Sequence, residues 1–187
     1  VISHGTRVRL FRKHLPPEEL GARIYEGLRS GMELNDDLSM SRFIRSLDLD
    51  PCTLDEQYAG EIMVALMFGA TLAIERSASP RVAEQIGAGM KAEFLNHIQE
   101  QGATQIQKAE WETITAGRFL DYRRSIEDYS GFEPPWKLGR ALFWNIIGEE
   151  KYVAMSVKIA TLYILAARDL CQSLLNEHGP SLLIRRA

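Results

Sequence analysis

Glu93, His97 and Glu100 come nearest to site chemistry, because intervals of four and three place them on roughly one face of a helix. Neutral imidazole and carboxylate are competent ligands for zinc, iron or manganese, but a stable site needs further ligands from a second helix. The Glu-x-x-His pair of di-iron bundles is absent, since Phe94 precedes His97 by three residues and Leu175 precedes His178 by three. The preferred reading is a histidine at the solvent edge paired with a glutamate of its own helix. No cofactor is expected.

The second group is aromatic. Trp111, Phe119, Tyr122, Tyr129, Trp136, Phe143 and Trp144 crowd one stretch of the chain. Such a cluster suits a pocket for an apolar or planar small molecule, oriented by phenol and indole groups. The same helical spacing is what a packed bundle core requires, and core packing is preferred.

Other patterns fail in their context. Gly87-Ala88-Gly89-Met90-Lys91-Ala92 has the letters of a dinucleotide fingerprint. That chemistry needs a strand before the glycines, and Arg81 to Ile86 reads as helix. Close helix packing against small residues explains it better. Asp48-Leu49-Asp50 begins like a calcium loop, but Thr53 stands where glycine is required and Ala59 where glutamate is. Ser30 in Gly27-Leu28-Arg29-Ser30-Gly31 lies at a helix end, not on a nucleophile elbow. Cys171 has Arg168 nearby, but His178 is two turns away and cannot serve it as a base.

The elements that must position these groups are helices. Pro16-Pro17 with Glu18-Glu19 opens the first, expected to about Ser30, and a short one follows over about 39–47. Thr53-Leu54-Asp55-Glu56 is a capping box for a helix reaching about Ser77. Its middle, Ile62 to Phe68, is apolar all round, so protein must surround it. Ser79-Pro80 starts a helix to about Gln101, with Val82, Ile86, Met90, Phe94 and Ile98 on one drifting stripe, and Gly102 stops it. Thr104 and Gln107 form another capping box, for a helix to about Ser130. Gly131, Pro134 and Pro135 break the chain before helices over about 135–147 and 149–177.

The predicted fold is therefore all-α, a bundle of about seven helices centred on those near 54–77 and 150–177. A basic arm occupies residues 1–16, the helical domain 17–178, and an apolar then basic tail 179–187. A composition of 45% hydrophobic and 25% charged residues excludes a disordered or collagen-like chain. The net charge of −3 lacks the basic excess of a typical nucleic-acid binder, although Arg7, Arg9, Arg12 and Lys13 make the arm locally basic. Nucleic acid is accordingly not the expected partner. Cys52 and Cys171, far apart in apolar surroundings, suit a reducing cytoplasm. No secretory leader is evident. The longest uncharged apolar run, Ile62 to Ile74, falls short of the roughly 20 residues of a transmembrane helix.

Two apolar helices, a seam at Phe119, Tyr122, Ile126 and Tyr129, and an apolar tail exceed what one short bundle conceals. The leading expectation is a non-enzymatic, regulatory or adaptor protein that acts by association, as a homodimer or with a protein partner. The alternative is a bundle, binding protein or enzyme, with the aromatic cluster lining a pocket for a small apolar ligand.

Overall fold

The computed structural model describes residues 15–33, 39–46, 56–127, 136–147 and 154–178. Among them lie helices α1 (Pro17–Glu33), α2 (Met40–Ser46), α3 (Glu56–Ser77), α4 (Pro80–Glu100), α5 (Gln105–Glu127), α6 (Trp136–Ile147) and α7 (Ala154–His178), and no strand. The all-α bundle is as expected. The basic arm through His14, the tail over 179–187, Cys52, Tyr129, the calcium-like acids and the box at Thr53 lie outside the described residues.

Local chemistry accounts for the best-defined ends. Ser79 is extended, its hydroxyl accepts from the Val82 amide at 3.4 Å, and Pro80 takes the first turn of α4, where no amide donor is needed. At the other end Gly102 adopts φ +99°, its amide donates to the Gln99 carbonyl, and that of Ala103 donates to Ile98. This is a Schellman stop, and it needs the left-handed residue that glycine supplies at no steric cost. The box at α5 forms in both directions, with the Gln107 amide donating to Thr104 Oγ1 at 3.3 Å and the Thr104 amide to Gln107 Oε1 at 2.8 Å.

One boundary differs from the expectation. α1 runs through Gly31 to Glu33, because Gly31 is buried and Arg29 bridges Glu26 (2.8 Å) and Glu33 (2.6 Å) along the last turns. Glycine ends a helix where it turns left-handed, and here it continues as helix.

α3 is the axis of the fold. Every residue from Glu61 to Ala70 is buried, and the helix touches α1, α4, α5, α6 and α7. The stretch Tyr58–Ser77 is long and apolar enough by composition to span a membrane, but 67% of its apolar window is buried inside the protein. It is a core helix here.

α7 runs parallel to α3. Gly69 meets the Ile164 carbonyl, and two turns on Ser77 donates to Gln172 at 3.1 Å. Three crossings bring backbones into contact at glycines: Gly21 and Gly89 between α1 and α4, Gly69 between α3 and α7, and Gly139 between α6 and α7. A Cβ at Gly21 would collide with the Ile86 carbonyl, and one at Gly89 with that of Glu18. The close-packing reading thus holds for Gly89, whereas Gly87 faces open space.

Candidate functional site

α5 carries apolar groups on two opposite sides. Its inner face carries Trp111, Thr115, Arg118, Tyr122 and Ile126, while Ile106, Ala109, Thr113, Ala116 and Leu120 recur at intervals of three and four on its exposed outer face. Ile106 is 73% exposed and Leu120 51%. Apolar groups on opposite sides leave this helix with no single apolar face.

The inner face holds a charge. Glu61, 2% exposed, accepts from Arg118 Nε at 2.9 Å and Nη2 at 2.8 Å, a bidentate pair that joins α3 to α5. The hydrogen bond from Glu61 is the main reason the Arg118 guanidinium is held even more basic than usual. One turn on, Tyr122 accepts from Asn145 Nδ2 of α6 at 3.1 Å, and burial pushes its phenol well above the ordinary range. Among the described residues no buried side-chain polar atom lacks a partner, so this network is fully satisfied.

α4 and α5 form an antiparallel hairpin, stitched near its turn by Lys108 to Gln99 (3.0 Å) and by edge-on packing of Phe94 and Trp111 (5.7 Å). Away from the turn a half-open groove of about 710 Å³ lies between them. Ala83, Gly87 and Ala88 of α4 and Thr71 of α3 give it a small-residue floor, and Phe119 of α5 is its aromatic wall. Charge gathers at the rim. Arg123 donates to Glu75 at 2.9 Å, and that bond is the main cause of its raised basicity. Lys91 lies with its ammonium 4.8 Å above the Phe119 ring. Among the described residues neither Lys91 nor Glu84 has an ionic partner. The groove can receive an apolar group and offers one free charge of each sign.

The described aromatic residues, for which core packing is preferred to a shared pocket, lie apart from one another. Among the described candidates only Phe119 lines the groove. Tyr122 and Phe143 are buried in the core, with Tyr122 5.3 Å from Phe68, and Trp111 packs between Phe94 and the bare backbone of Gly60. Trp136 stands under Lys158 at 5.9 Å, and Trp144 is 46% exposed on α6.

The ligand set on α4 does not assemble either. Glu93 and His97 are half-buried and Glu100 is exposed, and among the described residues no three His, Cys, Asp or Glu side chains come together around one ion. The His97 ring packs 6.0 Å from Tyr25 of α1. Arg168 pairs with Asp169 at 2.8 Å, and burial pushes the Cys171 thiol up to about 12, so no thiolate nucleophile is available there.

Sequence reasoning missed Glu61, Glu75, Glu84 and Lys91. A signal existed for Glu61, an acid abutting an unbroken apolar block. The groove had only the small residues Ala83 and Gly87 one turn apart beneath flanking charges.

Compared with models of protein families, with curated proteins and with solved structures, the chain matches none. The fold defines an all-α bundle, and a fold of that class carries no function by itself.

Proposed function

We propose that this protein acts by association, as a homodimeric helical protein with an adaptor or regulatory role in the cytoplasm and no reaction of its own. The observation that carries the reading is the outer face of α5. Ile106, Ala109, Thr113, Ala116 and Leu120 follow the three-four alternation of a helix seam while remaining exposed. Water is a poor neighbour for such a row, and a second helix is the partner its spacing fits. Sedimentation velocity across a concentration series tests this: a reversible dimer is expected, and Leu120→Asp should abolish it while leaving the helical content unchanged. A strict monomer at every concentration overturns the reading.

The groove beside Phe119 favours a second reading, in which a small apolar ligand is bound. Native mass spectrometry separates the two. A mass increment of a few hundred daltons, on the order of a drug-sized pocket occupant, that is retained on a monomer and lost on denaturation would put the ligand first.

A further inference from the structure

The groove and the exposed stripe of α5 are neighbours on one surface. Phe119 is the groove wall, Leu120 beside it belongs to the stripe, and Arg123 lies at the edge of both. A twofold dimer requires this, because each copy must present both a seat and the group that fills the other's seat, on one contiguous patch.

Helix register decides which group fills it. If two α5 helices pair antiparallel with Thr113 of one opposite Ala116 of the other, Ala109 falls opposite Leu120 and Ile106 opposite Arg123. This alignment lays the two stripes over each other from Ala109 to Leu120 and leaves Ile106 of each copy beyond the other's Leu120. It also carries Ile106, whose side chain is almost free of its own bundle, to the level of the groove, where Gly87 leaves its Cβ position open. On the flank of the same alignment Glu112 meets Phe119, the ring on which Lys91 rests. Glu112 is exposed and, among the described residues, without an ionic partner, as is Lys91. One register therefore serves most of the apolar stripe, the groove and two charges without ionic partners together.

We infer that the groove between α4 and α5 seats α5 of a second copy of this chain, antiparallel, with Ile106 of that copy over Gly87 and its Glu112 against Lys91. The inference rests on the association reading and adds its geometry. The twofold repeats every contact, so reversing one charge replaces two attractions by two repulsions.

The test is a charge swap measured as a dimer dissociation constant by sedimentation at low salt. Lys91→Glu and Glu112→Lys should each weaken the dimer by about tenfold or more, and the double variant should return to within about threefold of the parent. Gly87→Leu, which fills the seat, and Ile106→Ser, which removes its occupant, should each weaken the dimer independently of salt. Circular dichroism should show all five variants folded, since every position is exposed or faces open space. A dimer indifferent to Lys91→Glu and Gly87→Leu, or a double variant no better than the singles, overturns the inference and leaves association standing. A parent chain that never dimerises overturns both.

Discussion

Replacing Arg118 with methionine tests whether the pair with Glu61 holds the bundle together. Methionine keeps the aliphatic stem and removes the guanidinium, so the Glu61 carboxylate, 2% exposed, loses both of its donors and stays out of reach of water. Breaking a buried pair from one side costs about 3–5 kcal/mol. Arg118 is 31% exposed, so solvent already screens part of its attraction, and the lower end, about 3 kcal/mol, is the appropriate figure. In a chain of this length that corresponds to a fall in Tm of about 6–12 °C. The reverse replacement is milder. Glu61→Leu leaves the charge on the partner that can turn to water, and about 1 kcal/mol is expected. The double variant should lie within about 1 kcal/mol of the parent, since no buried charge is left alone. Thermal and urea unfolding of all four proteins measure the cycle. An Arg118→Met protein as stable as the parent, or a Glu61→Leu protein less stable than the Arg118→Met one, would refute the reasoning.

Glycines divide into two kinds whose replacement has opposite signs. Gly21→Ala, which drives a methyl into the Ile86 carbonyl, should destabilise by about 1–3 kcal/mol, whereas Gly117→Ala, facing open space within α5, should stabilise by up to about 1 kcal/mol; denaturant midpoints report both. Cys171 should resist a thiol reagent at pH 8 in the native protein and react in urea, as peptide mapping of the labelled chain will show. Stability should decline as pH rises above about 9. The Cys171 thiol is raised from 9.0 to about 12, and burial raises the phenols of Tyr25 and Tyr122 as well. In that range the unfolded chain has released protons that the folded chain still holds. The stability is therefore complete below the unfolded values and is lost as pH climbs toward the folded ones, by at most about 1.4 kcal/mol per pH unit for each group. A flat melting temperature between pH 8 and 11 would contradict it.

The helices were legible because their punctuation is local. The hydroxyl of Ser79, the box at Thr104 and Gln107, and the left-handed Gly102 each act within a few residues, and the structure places all three as their chemistry demands. The all-round apolar middle of α3 was also readable, since no surface helix tolerates it. The site was not legible, for two reasons. Aromatic spacing cannot distinguish a ring that packs from one that borders space, and of the described aromatic candidates only Phe119 borders the groove. Pairings such as Glu61 with Arg118 and Glu75 with Arg123 span a long sequence separation, which no periodicity encodes.

The parallel packing of α3 against α7 has a consequence for biosynthesis. α3, the apolar axis of the fold, is made before the helix that packs most closely along it. While the nascent chain still lacks α7, the α3 face that will meet Ile164 and Gln172 is bare, and contacts of such long sequence separation form slowly. The growing chain thus carries a sticky segment out of the ribosome until α7 follows, and a holding chaperone would find its binding site on α3.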